Sequence, residues 1–237
     1  MKTISKNTPV ISNIANKTVP ANKQEPAKKY EFIDDCEYID GHFLKRIRAL
    51  RDFDDVKAGD LGGYIENESN LSHYGNCWVY DEALVYGNAE VYGKAVITRY
   101  AKIYDHACVY DSAHVAGNVY GKAHVSGCAR VYSNSHIYNH ARVSHDAFVY
   151  DHARIYGHSK VSGSACIYSS AKIYGQAAIK GFAKIYGKVY GNAKISGYVK
   201  VWGRAYGRAK IDTQSKIKLV PDNYEVYKSD EVVKIEK

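Results

Sequence analysis

The sequence predicts an all-β chain whose body is a parallel β-helix of about eight triangular coils, on three observations. A six-residue repeat, G-x-A-x-V-Y, runs from Gly75 to Lys218 without losing phase. The fifth position is Val or Ile in 24 of its 25 units, Ala205 being the exception, and the third is Ala in 17 of the 22 full units. The remaining three units (117–120, 187–190 and 203–206) are cut to four residues, and all fall on the same third of the winding when units are assigned in turn to sides a, b and c. Positions three and five are two apart, so in a strand they point the same way. A bulky aliphatic every six residues fills an interior, and a small residue four later lets the wall turn a corner.

The elements follow in order. Residues 1–29 are polar, Lys-rich and aperiodic, which predicts a disordered basic tail. Residues 30–74 carry the strand-like runs Tyr30-Glu31-Phe32 and His42 to Leu50, with Asp40-Gly41 suited to the turn between them; they predict a small N-terminal β cap. Residues 75–218 are the repeat. Residues 219–237, with Leu219-Val220-Pro221 and Val232 to Ile235, predict a C-terminal cap or an interaction segment. Both ends of a solenoid expose unpaired backbone and need such covers.

Composition narrows the function classes. The chain has 33 Lys and Arg against 25 Asp and Glu, a formal charge of +8. No apolar run approaches the ~20 residues of a bilayer-spanning helix, and Met1 to Pro26 shows no apolar core of a signal peptide. Five cysteines (Cys36, Cys77, Cys108, Cys128 and Cys166) in no CxxC spacing argue against a zinc ribbon or a disulfide framework. Reduced thiols in a cytoplasm are the simpler expectation, the host cytoplasm if the protein is phage-encoded.

Val85-Tyr86-Gly87-Asn88-Ala89 and Val91-Tyr92-Gly93-Lys94-Ala95 carry a family likeness. On such stretches residues 75–218 resemble the hexapeptide-repeat family of left-handed parallel β-helices, as in many acyltransferases. Asp52 to Tyr80 looks like a narrower group of bacterial and phage hexapeptide-repeat proteins that carry an acyltransferase label. The resemblance implies left-handed winding, and, for the enzymes, a trimer with acyl-CoA along the rod and a His base at a subunit boundary. This chain departs in placing Tyr after the aliphatic residue, where many such enzymes carry Gly or an acid.

Position six of side b reads Tyr86, Tyr104, Tyr120, Tyr138, Tyr156, Tyr174, Tyr190 and Tyr206. Stacking along a corner explains such a file; so does a contact strip, because Tyr offers rigid area and a polar tip. An exposed aromatic row suits a protein interface, a sugar chain or single-stranded nucleic acid. The fourth position adds cations, among them Arg130, Arg142, Arg154, Lys160, Lys172, Lys194 and Lys210. These Tyr and Lys/Arg residues are the candidate partner-binding set: a rigid basic rod that docks a protein or nucleoprotein, with nucleic acid as one option. In a phage-type relative such docking implies inhibition of a host complex.

The catalytic alternative is an acyl-CoA-dependent acyltransferase, with acetyl-CoA as cofactor. His106, His140 and His158 occupy position two of side c, and His145-Asp146 is a local pair. No loop insertion within 75–218 walls a pocket, and no nucleophile, base and orienting group assemble, so no catalytic residue is assigned. His140 and His158 lack Cys or carboxylate partners at metal-binding spacing, so no metal or cofactor is expected. A homodimer or homotrimer, or an end-to-end structural polymer, remains open at this level.

Overall fold

The computed structural model describes residues 27–228 and 231–236. The expected tail lies, over 1–26, outside the described residues. Strands and turns make up the described chain, with one 3-10 turn at Glu68–Asn70.

The repeat winds into a three-sided solenoid of about nine turns. Side a is a nine-stranded sheet, side c an eight-stranded one, and side b belongs to a sheet of thirteen strands. Each strand pairs in parallel with the one a lap later: His136 faces Arg154, and Ile137 faces Ile155. The lap is eighteen residues there and sixteen where a short unit intervenes, as in Lys172 opposite Lys188. The four-residue units therefore trim the wall without breaking register.

The alternation of the repeat sets the core. Ala153 and Ile155 are fully buried, and so are their counterparts through the rod, in one continuous column. Fully burying an aliphatic side chain contributes about 1.5–3 kcal/mol. The corners need a left-handed residue at position one, which explains Gly, Asp, Asn and Ser there: φ is +70° at Gly157, +58° at Asp151 and +59° at Asn139.

The N-terminal cap continues side b. Strands β1 (Tyr30–Ile39) and β2 (His42–Ala49) form an antiparallel hairpin, and β2 pairs with β3 (Leu61–Ile65). From β3 onward the ladder is parallel, Tyr64 lying opposite Leu84. Lys29, at the end of the expected tail, is instead part of this cap. It is fully buried, and its Nζ donates to the Cys77 carbonyl at 2.8 Å. Phe53 and Tyr30 cover Trp78 at ring-centroid distances of 5.3 and 6.2 Å. All five cysteines are free thiols.

The last hexad departs from its expected register. Residues 213–218 form no strand; Leu219–Val220 takes the next place on side a, with Leu219 opposite Lys200. The cause is local. Asp212 Oδ1 accepts the Gln214 and Ser215 amides at 2.9 and 3.1 Å, and this side-chain turn loops out three residues. Parallel pairing then runs on to Tyr224–Val226, and Val233–Lys234 folds back antiparallel against it.

Candidate interaction surface

The eight tyrosines of side b form one stacked file. Consecutive ring centroids from Tyr86 to Tyr206 lie 4.8–5.1 Å apart, with planes within 10° of parallel. That spacing follows the strand separation, so the backbone ladder dictates the ring ladder. His42 closes one end against Tyr86 at 4.9 Å, and Tyr227 closes the other against Tyr206 at 5.2 Å. Each offset stack adds about 0.5–1.5 kcal/mol beyond burial. Ring faces are thus turned to one another along the rod, and edges and hydroxyls meet solvent. This removes the base-stacking platform that an aromatic row suggests from sequence alone.

Burial pushes the phenol pKa upward along the file: to about 12 at Tyr104, and above the ordinary range at Tyr120, Tyr138, Tyr156 and Tyr190. These hydroxyls stay protonated at neutral pH and can donate hydrogen bonds.

Cations flank the file on both sides. Two residues before Tyr138, Tyr156, Tyr174, Tyr190 and Tyr206, on the same outer face of side b, stand His136, Arg154, Lys172, Lys188 and Arg204 in register. His136 meets the Tyr120 ring edge-on at 6.0 Å. Past the Tyr the chain turns the b/c corner through Gly157, Gly175, Gly191 and Gly207, all at positive φ, and the second residue of each turn, His158, Gln176, Asn192 and Arg208, is exposed there. Beyond it, side c presents His124, Arg142, Lys160, Ala178, Lys194 and Lys210.

The structure therefore sorts the predicted cations. Arg154 and Lys172 lie on one flank of the Tyr file, and Arg142, Lys160, Lys194 and Lys210 lie on the other. Arg130 is elsewhere: it sits on side a, with its guanidinium over the Phe148 ring at 5.1 Å. Lys188 and Arg204 lie in four-residue units, outside the six-residue frame that locates the other cations. Counting back two residues from Tyr190 and Tyr206 finds both. A second aromatic file on side a, Tyr150, Tyr168, Tyr186 and Trp202, stacks at 5.7, 4.9 and 3.9 Å.

Charge is polarised along the rod. Residues 27–111 hold ten Lys and Arg against sixteen acids, a net −6, and residues 112–218 hold sixteen against three, a net +13. Of those three acids, Asp146 and Asp151 belong to the other two corners. Asp212 takes the single ion pair found beyond residue 111 among the described residues, with Lys210 at 3.4 Å. The b/c edge is free of acids from Gly121 to Gly191; at its end Glu225 lies opposite Arg204 and accepts a hydrogen bond from the Tyr206 hydroxyl at 2.9 Å.

The histidines assemble no catalytic set. His140 and His158 stack on each other at 4.6 Å. Among the described residues no group of three or more His, Cys, Asp or Glu is placed to hold a metal ion. No described helix is long and apolar enough to cross a membrane.

The hexad repeat and the three-sided solenoid fit a hexapeptide-repeat β-helix family. No family model matches the chain. A stretch of 39 residues is 51% identical to an Escherichia coli (strain K12) protein named "Uncharacterized acetyltransferase YdcK". It covers 16% of this chain and 12% of that protein.

Proposed function

We propose that the chain is a non-enzymatic docking rod for a polyanionic macromolecule, a protein or nucleoprotein, which it meets along its b/c edge. One observation carries this reading: from Tyr138 to Tyr190 a file of protonated phenols runs between two files of cations with no acid among them. Like charges opposed across strands destabilise a sheet, and Arg154, Lys172, Lys188 and Arg204 are opposed in succession. An anionic partner relieves that repulsion, and burying the Tyr edges adds contact area. Occupying the anionic surface of a nucleoprotein would block that complex, the role implied by a phage-type relative. The free thiols suit a reducing compartment such as a cytoplasm.

Binding of labelled polyanions, measured against salt, tests the reading. The expected result is micromolar or tighter binding that weakens steeply with salt and falls at least tenfold in the combined variant Tyr138→Ala, Arg154→Ala, Tyr156→Ala. Unchanged affinity in that variant removes the edge from consideration. The acetyltransferase name of the partial relative supplies the competing reading. Calorimetric titration with acetyl-CoA decides it: saturable binding would favour acyl transfer, and no heat is expected here.

A further inference from the structure

We infer that the partner of the b/c edge is the major groove of B-form duplex DNA, entered by the edge as a wedge; this rests on the docking reading above. Two parallel rows of cations call for two parallel rows of anions. An acidic peptide or helix face presents one row, whereas the two phosphate backbones bordering a groove present two.

The dimensions agree. The flanking files stand six residues apart along the chain, from Arg154 to Lys160 or from Lys188 to Lys194. Extended chain would set them at most about 20 Å apart, and the intervening corner brings them closer. A major groove is about 12 Å wide and 8.5 Å deep, so cations on both flanks of a convex edge meet phosphates on both walls. From Arg142 to Lys210 side c steps through five strands, a length of about 19 Å at the strand spacing. That is roughly half a turn of duplex, the reach over which a straight element stays in a groove.

The crest fits the floor of that groove. Tyr138, Tyr156, Tyr174 and Tyr190 repeat at 4.8–5.0 Å with hydroxyls outward. The corner beside them presents the exposed His158, Gln176, Asn192 and Arg208, polar groups that can hydrogen-bond base edges. The closed ring faces of the tyrosines disfavour single strands, which are held by stacking on open aromatic faces. Duplex RNA is excluded on shape, because its major groove is too narrow for side chains.

Fluorescence anisotropy of the full chain tests this with four probes: a labelled 20-base-pair DNA duplex, the matching duplex RNA, one DNA strand, and a polyglutamate peptide. The DNA duplex is expected to bind at least tenfold tighter than the other three. The dependence of its log affinity on log salt should correspond to about five phosphate contacts. Arg154→Gln and Arg142→Gln, one from each flank, should each lower that slope by about one, and Arg130→Gln on side a should leave it unchanged. Tyr156→Phe should weaken binding with the slope intact. A slope lost equally in the Arg130 variant, or equal affinity for all four probes, overturns the groove assignment. Tight polyglutamate binding that needs Arg154, with weak duplex binding, also overturns it but leaves the docking reading standing. Binding of none of the probes removes both.

Discussion

The two ends of this molecule use the same residue types in opposite ways. In the acidic N-terminal third, polar groups are spent internally. Arg46 bridges Asp35 and Glu82 at 3.2 and 3.1 Å. The Tyr80 and Tyr86 hydroxyls donate to Asp55 and Asp40 at 2.6 and 3.2 Å. In the basic body, the stacked phenols from Tyr138 to Tyr190 sit beside cations with no acid on their edge. A tyrosine or arginine that already has its partner stabilises the fold; one left without a partner is a docking group. The contrast teaches that the Tyr file is one structural device with two destinies, decided by whether carboxylates stand next to it.

The largest expected effect lies in the N-terminal third. Trp78 is 1% exposed and held between Phe53 and Tyr30. Trp78→Ala should cost about 3–5 kcal/mol by denaturant unfolding, with the loss of hydrogen-exchange protection concentrated before Ile97. Solenoid stability is a sum of local and neighbour terms, so the body should keep most of its protection. A uniform loss along the rod would show that the ends are not separable.

Next comes the file itself. Tyr86 is 3% exposed, so Tyr86→Ala should cost about 3 kcal/mol of stability and leave polyanion affinity unchanged. Tyr156→Ala removes two stacks, about 1–3 kcal/mol together, and should weaken polyanion binding as well. Equal binding defects in the two variants would erase the distinction between the regions. Smaller still is the charge effect. Combining Lys172→Gln with Lys188→Gln should raise thermal stability by a few tenths of a kcal/mol at low salt, through relief of cross-strand repulsion. The gain should vanish at about 1 M salt, where charges are screened within ~3 Å.

How far the sequence speaks for this surface depends on what each residue answers to. Tyr104 through Tyr206 could be aligned from sequence because Val and Ile every six residues tie register to the core, and a one-residue slip would expose the column. The flank made by Lys188 and Arg204 needs the further step of knowing that short units lose their turn, not their strand. Leu219 could not be placed, because the three-residue loop after Asp212 is decided by side-chain capping of local amides. The partners of Lys29 and Tyr30 were equally opaque, although the strand that Tyr30 opens is legible. Lys29 is held by Cys77, and the Tyr30 hydroxyl by the Glu68 and Leu71 carbonyls, some forty residues away, and no periodic signal encodes a cap. The closed ring faces were also invisible, since composition shows an aromatic row without showing which way it faces.

The smallest effect is on the pH response of the two regions. In the N-terminal third, Asp81 is held below the usual carboxylate range by hydrogen bonds from the Thr98 hydroxyl and the Arg99 amide. Burial acts to raise Glu66, but hydrogen bonds from His42 and the Gly87 amide outweigh it and leave it lowered. A depressed carboxylate contributes stability that is present above its unfolded value and lost as pH falls through the folded one, so this third should loosen below about pH 4. In the body, His114, His124 and His136 are held below their ordinary 6.5, first by burial and then by Arg130, Arg142 and Arg154 beside them. Below 6.5 the unfolded chain takes up these protons before the folded one does, so the body should lose stability as pH falls from about 6.5. Hydrogen exchange at pH 7.5 and 5.5, corrected for intrinsic rates, should show protection falling between Val115 and Ile137, and in the cap around His73, which burial also holds below 6.5, while the strands from Cys166 to Ile211, which carry no histidine, stay unchanged. The triple variant His114→Gln, His124→Gln, His136→Gln should flatten that response. A Val115–Ile137 stretch as insensitive as Cys166–Ile211 over this interval would mean that the three rings are open to water, and that side b and side c are looser around them than their packing against Arg142 and Arg154 implies.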